Sequence, residues 1–158
     1  MDRTSKLFAS LRVLGINPKM ETFTERKQVQ KLAYLLDKVF GMSFDFSYNW
    51  YLHGPYSPEV TKKIFDVIEG REVIRSDPGI LQDGDVRKIE QLKSFLGSDI
   101  NSSDKLELLV SMHFLMQYSR DSNFALEDII AFLKAKKPYF TGEDISDAIN
   151  RLRTLDES

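Results

Sequence analysis

The chain has 158 residues and carries 22 Lys and Arg against 24 Asp and Glu, for a formal net charge of −2. Its 42% hydrophobic and 29% charged residues are typical of a globular protein. They exclude a disordered tail, a collagen-like repeat and a strongly basic nucleic-acid packager. Because the chain has no cysteine, disulfide scaffolds, cysteine-bearing zinc fingers and thiol chemistry are excluded as well.

The charge is divided unevenly along the chain. Residues 1–75 hold 12 Lys and Arg against 9 Asp and Glu, which gives +3, whereas residues 76–158 hold 10 against 15, which gives −5. This division permits one mildly basic face without making the protein a general polyanion binder.

Two helices are predicted before residue 41. Leu residues at helical spacing between positions 7 and 14 predict a first helix that ends at Gly15. Thr22 and Glu25 have the spacing of a capping box, so a second helix is predicted to begin there. Its apolar stripe ends at Gly41.

Residues 44–51, with the sequence FDFSYNWY, alternate between aromatic and mostly polar side chains. This period of two predicts a strand or an extended arm whose aromatic side packs onto the helices. The functional alternative is an exposed edge that pairs with a strand of a partner protein or stacks against nucleic-acid bases. Tyr51 and Tyr56 lie outside the inward-facing set and are the better surface candidates.

A rigid turn follows the aromatic segment. Gly54 permits a left-handed backbone, and Pro55 stiffens it. Ser57 suits the N-cap of a third helix, with Pro58 at its first position and Glu59 at the positive end of its dipole.

A small hairpin is predicted after the third helix, from apolar runs at 73–75 and 80–82 around a Pro-Gly turn. The order helix, connector, helix, hairpin is that of a winged helix-turn-helix. The basic residues Lys62, Lys63, Arg71 and Arg75 would then face DNA. A solvated helix face is the simpler interpretation, because acidic residues at 66, 69 and 72 lower the positive electrostatic potential around these cations.

The rest of the chain is predicted to be helical around 89–96, 104–116, 126–133 and 144–152. The segment 106–116 is apolar in almost every direction, which favours a central buried helix. The predicted fold is mainly α, a single helical domain (1–158) with a small β-hairpin. Its winged-helix-like N-terminal half is 1–97, and its C-terminal helical half, packed on the first, is 98–158.

Signals for catalysis are poor. The two histidines, His53 and His113, are 60 positions apart, and His113 lies in an apolar segment typical of a core residue. The chain has no metalloprotease, P-loop, dinucleotide-binding or nucleophile-elbow motif. We therefore predict no enzyme activity, no cofactor and no metal. The N-terminal segment is unlike a secretion signal and no stretch is apolar enough to span a membrane, so a cytoplasmic protein without a membrane partner is predicted.

Residues 28–60, QVQKLAYLLDKVFGMSFDFSYNWYLHGPYSPEV, resemble the Panacea domain of SocA-like antitoxins and related prokaryotic proteins. The resemblance rests on a KL-x-YL-like helix, an extended linker and a Gly-Pro turn that leads into a helix: Lys31, Leu32, Tyr34, Leu35, Gly54, Pro55 and Tyr56. It covers about a fifth of the chain, and the segment Lys137–Phe140 lacks the histidine of the family's later motif. The resemblance implies a compact helical, non-enzymatic protein that contacts a partner protein, often a toxin encoded nearby.

Three hypotheses follow. The first is an antitoxin-like protein-interaction module whose partner-binding surface comprises Trp50, Tyr51, His53, Gly54, Pro55, Tyr56 and Glu59. The alternative is a winged-helix DNA-binding transcriptional regulator. A third hypothesis is a homodimer formed through the 106–116 helix or the C-terminal helix.

Overall fold

The computed structural model of the protein describes residues 3–17, 19–71, 77–122 and 125–156. Within these residues the fold is mainly helical with one small antiparallel hairpin, which confirms the predicted class. The α-helices are α1 (Arg3–Val13), α2 (Phe23–Tyr34), α3 (Pro58–Ile68), α4 (Asp83–Leu96), α5 (Ser103–Ser122), α6 (Leu126–Lys136) and α7 (Gly142–Asp156). The strands are β1 (Asn49–Tyr51) and β2 (Gly54–Tyr56).

The chain divides into two compact units, Met1–Leu106 and Glu107–Ser158. The first unit contains α1 to α4 and the hairpin, and the second contains most of α5 together with α6 and α7. The boundary falls inside α5 rather than at residue 97, and the single-domain organisation stays a prediction.

The second helix begins as predicted and ends in an irregular way. The Thr22 hydroxyl accepts a hydrogen bond from the Glu25 amide at 3.1 Å, which confirms the cap. After Tyr34 the helix widens into a π-helical turn, Leu35–Val39, in which the Phe40 amide donates to the Leu35 carbonyl at 2.9 Å. The turn brings three successive side chains, Leu35, Leu36 and Asp37, into the interior.

The aromatic segment is an extended arm over 41–48, and only Asn49–Tyr51 forms a strand. Phe44 and Phe46 are buried as the alternation predicts. The residue before each of them is left-handed, because Ser43 and Asp45 have φ angles of 56° and 59°. Side chains alternate between inside and outside here without a regular strand conformation.

Side chains from the surrounding helices satisfy the backbone of this arm. The Asp37 carboxylate accepts hydrogen bonds from the amides of Phe44 at 2.9 Å, Asp45 at 3.4 Å and Phe46 at 3.1 Å. The arm's carbonyl groups accept from three cations, which are Arg3 and Lys6 of α1 and Lys88 of α4. These bonds take the place of a neighbouring strand.

The hairpin lies between the arm and α3. Asn49, Trp50 and Tyr51 pair with Tyr56, Pro55 and Gly54, which leaves Leu52 and His53 at the tip. Gly54 has a φ of 85°, which confirms its predicted left-handed conformation. The Ser57 hydroxyl then accepts from the Val60 amide at 3.3 Å, so the predicted N-cap of α3 is also confirmed.

The hairpin predicted over 73–82 is wrong in its second strand. Pro78–Ile80 forms a single 3-10 turn, because the Asp77 carboxylate accepts from the Gly79 amide at 2.9 Å. The first predicted strand, 73–75, lies outside the described residues. The winged-helix arrangement therefore stays a prediction.

In its described part, the second unit has helices as its regular elements, joined by a turn at 137–141. The predicted cap of α7 is confirmed, since the Thr141 hydroxyl accepts from the Asp144 amide at 3.1 Å and the Asp144 carboxylate accepts from the Thr141 amide at the same distance. The segment 106–112 of α5 is buried at every position, in agreement with the predicted central helix. Among the described helices, none has a long enough apolar stretch to span a membrane.

Candidate partner-binding groove

A half-open groove of about 410 Å³ lies in the first unit, bounded by α2, the hairpin and α3. This volume is within the range of small ligand-binding pockets. Each helix lines the groove with residues that lie on one face, three or four positions apart. These are positions 23, 26, 27, 30 and 31 of α2 and positions 61, 64 and 65 of α3. The hairpin contributes its tip and Tyr56.

The walls of the groove are largely aromatic and aliphatic, formed by Phe23, Tyr51, Leu52, Tyr56, Ile64 and Phe65. Tyr51 and Tyr56 meet edge to face with ring centroids 5.0 Å apart, and Phe23 lies 5.3 Å from the His53 ring. Leu52 at the tip is 83% exposed. Large apolar side chains presented together to solvent are a recognised mark of an interaction surface.

The polar lining residues are Arg26, Lys27, Gln30, Lys31, His53 and Thr61. The Arg26 guanidinium lies 5.5 Å from the centre of the Phe65 ring, a cation–π contact. It donates hydrogen bonds to the carbonyls of Met20 at 3.2 Å and Glu21 at 2.8 Å.

Two polar side chains of α2 fix the hairpin against the helices. Buried Lys31 donates from Nζ to the Pro55 carbonyl at 2.8 Å. The Gln30 amide donates to the Ser57 carbonyl and to the Thr61 hydroxyl, both at 2.8 Å, and accepts from the Ser57 amide at 3.0 Å. The predicted rigid corner is therefore held by α2 and by its own Gly-Pro sequence.

The structure brings together three of the seven predicted partner-binding residues, Tyr51, His53 and Tyr56, in the groove. Gly54 and Pro55 are buried and shape the hairpin, and Trp50 is half-buried outside the lining. Glu59 forms an ion pair with Arg3 of α1.

Sequence reasoning missed the contributions of Phe23, Arg26, Lys27, Leu52 and Phe65. Two signals could have found them. An aromatic residue and two cations recur along one face of α2, and a bulky apolar residue stands in the tight turn between two strands.

Two of the four predicted DNA-binding residues, Lys62 and Arg71, pair with the buried carboxylate of Asp66. Lys62 Nζ is 3.0 Å from Asp66 Oδ2, and Arg71 is 3.6 Å from Asp66 Oδ1 and also pairs with Glu69. The hydrogen bond from Lys62 is the main cause that holds the pKa of Asp66 below its usual range. Lys63 is half-buried on α3, and Arg75 lies outside the described residues.

The second unit contains a buried ion pair between Glu107 of α5 and Lys137, with Nζ and Oε2 3.0 Å apart. The Tyr139 hydroxyl donates to the same carboxylate. His113 is half-buried, with its ring nitrogen 3.4 Å from the Gln117 amide. In the described part of the chain, no three metal-binding side chains come together.

Comparison with known proteins gave no match to a family model, to a curated protein or to a solved structure.

Proposed function

We propose that the protein is a non-enzymatic, antitoxin-like interaction module that binds a partner protein through the groove and the hairpin tip. The supporting observation is the exposed apolar surface around Leu52, Tyr51 and Phe23, which continues into the groove. Burial of such side chains by a partner is the usual source of interface stability. The resemblance of residues 28–60 to antitoxin domains supports the same proposal.

The rigidity of this surface favours binding with little loss of conformational entropy. Lys31 and Gln30 anchor the middle and the end of the hairpin's return strand to α2, at Pro55 and at Ser57. A preformed surface leaves more of the contact energy available for affinity.

Site-specific photo-crosslinking in cells tests the proposal. A photoreactive amino acid at Leu52 is expected to crosslink one protein, whereas the same group at Val86, an exposed apolar residue on α4, is not. Purified partner should then bind the wild-type chain in a titration, and Leu52→Asp should weaken binding at least tenfold. Failure to crosslink any protein specifically from position 52 would overturn the proposal.

The antitoxin-like part needs a separate readout. If the crosslinked partner is a toxin, its expression alone should arrest growth, and co-expression of the wild-type chain should relieve the arrest. Leu52→Asp should not relieve it, while Val86→Asp should. Relief by both variants, or a partner without effect on growth, would contradict the antitoxin role but leave partner binding intact.

The DNA-binding alternative ranks second, because Asp66 and Glu69 already pair with two of its cations. Asp66→Asn separates the two functions, since it releases Lys62 from a buried charge while Arg71 keeps its pair with Glu69. We expect no gel shift of duplex DNA by the wild type at physiological salt and a weak, salt-sensitive shift by Asp66→Asn. A wild-type shift that Lys62→Ala abolishes would favour the alternative.

A further inference from the structure

The groove carries positive charge on a chain whose formal net charge is −2. Arg26, Lys27 and Lys31 line it, and among its described lining residues none is acidic. Electrostatic complementarity between interface surfaces governs which partners are accepted. The groove therefore selects for a negatively charged occupant.

Arg26 is the clearest source of this selectivity. Its guanidinium donates to the carbonyls of Met20 and Glu21 and stacks over Phe65, and all these partners are neutral. Within the described residues no carboxylate lies within ion-pair distance of it. Its charge remains available beside an apolar wall, where a partner carboxylate would be partly shielded from water.

The shape of the groove favours a helix over an added strand. Each hairpin strand has only three residues, so its edge offers few hydrogen bonds to an incoming strand. Helix faces form two of its walls, positions 23–31 of α2 and positions 61–65 of α3. The apolar stripe of an amphipathic helix repeats at the same spacing as these lining positions.

We propose that the groove binds an acidic amphipathic helix of the partner protein. Large apolar side chains at i, i+3 or i+4, and i+7 would contact Leu52, Tyr56 and Phe65, and a flanking Asp or Glu would pair with Arg26. This inference rests on the proposed function and adds the chemistry of the partner.

Two labelled peptides of about four helical turns test the proposal on the wild-type protein. Both carry the same Leu and Phe stripe, with Glu at the flanking positions of one and Lys at those of the other. By fluorescence anisotropy the Glu peptide is expected to bind at least tenfold more tightly at low salt, with a difference that shrinks as salt is added. Equal affinities, or tighter binding of the Lys peptide, would overturn the acidic specificity.

Matched variants locate the interaction. Arg26→Gln should weaken the Glu peptide about fivefold, whereas Arg12→Gln, at an exposed arginine of α1, should not change its affinity. Leu52→Asp should weaken both peptides. Loss of affinity with Arg12→Gln equal to that with Arg26→Gln would overturn the assignment to the groove.

The outcomes also separate this inference from the proposed function. If Leu52 crosslinks a partner in cells but neither peptide binds, the helical occupant is wrong and partner binding stands. If sedimentation shows self-association that Leu52→Asp abolishes, a second copy of the chain is the occupant, and the inference is overturned.

Discussion

At the scale of single residues, Asp37 organises the backbone of the arm. One carboxylate accepts three amide hydrogen bonds, and it lies on a π-helical turn that directs it inward. A carboxylate is suited to this position because all the groups facing it along the arm are donors.

We expect Asp37→Asn to lower the free energy of unfolding by about 2 kcal/mol. The asparagine side chain keeps only one acceptor oxygen, which is uncharged, and places an NH2 donor where Asp37 has its second acceptor oxygen. Urea denaturation measures the change. The control is Asp45→Asn, the same substitution at an exposed position of the arm. Equal losses in both variants would show that the Asp37 contacts contribute nothing particular.

Tyr48 offers the opposite case, because its hydroxyl is buried and has no hydrogen-bond partner among the described residues. Tyr48→Phe removes a polar atom that loses its hydration on folding and gains no hydrogen bond. We therefore expect the free energy of unfolding to rise by about 1 kcal/mol at neutral pH. Tyr51→Phe, at an exposed tyrosine, should leave stability unchanged. Thermal or urea unfolding gives both values, and a clear loss with Tyr48→Phe would reveal a partner for the hydroxyl.

At the scale of elements, the second unit depends on a charged contact between α5 and the segment that follows α6. Lys137 and Glu107 are 2% and 1% exposed, so neither can exchange its partner for water. Removal of one member of a buried ion pair strands the other charge in the interior.

Lys137→Met is therefore expected to cost about 3–5 kcal/mol in unfolding free energy. Lys136→Met, at the exposed neighbouring lysine, should cost little. Replacement of both partners, Glu107→Leu with Lys137→Met, should recover most of the loss. A single variant as stable as the double would show that the ion pair does not hold this contact.

The elements also show what a sequence can predict. The helices and their caps at Thr22, Ser57 and Thr141 were predictable because periodicity and capping are local. The inward face of Phe44 and Phe46 was predictable for the same reason. The left-handed backbone at Ser43 and Asp45 was not, since it depends on Asp37 and on cations from α1 and α4.

The position of the hairpin illustrates the same division. Pairing of Asn49 with Tyr56 is a short-range contact, but the aromatic alternation that precedes it left both a strand and an extended arm open, and the structure has the arm up to residue 48. The predicted strand at 80–82 failed because the side chain of Asp77 closes a tight turn. The groove itself required the distance between α2 and α3, which no local pattern contains.

At the scale of the whole molecule, two buried tyrosines are expected to make stability depend on pH at the alkaline end. Burial raises the pKa of Tyr34 and of Tyr48, so both favour the neutral phenol in the folded chain. Their contribution is complete below the ordinary tyrosine pKa of about 10 and is lost as the pH rises above it.

We expect the free energy of unfolding, measured by urea denaturation at a series of pH values, to fall steeply above about pH 10. Tyr48→Phe should make this decline shallower, and Tyr51→Phe should not. At the acid end, the lowered pKa of Asp66 means that its contribution is present above the ordinary aspartate pKa and declines as the pH falls below it. An equally steep decline in the wild type and in Tyr48→Phe would contradict the alkaline prediction.

The arm has a further consequence for the order in which the chain folds. Its carbonyl groups are bound by side chains 36 to 47 residues away in sequence, from α1 on one side and α4 on the other. Such contacts close only after the intervening chain has collapsed, so the arm forms late. The hairpin continues directly from the arm, so we expect its tip to reach its final position only after α1 and α4 have packed against the arm.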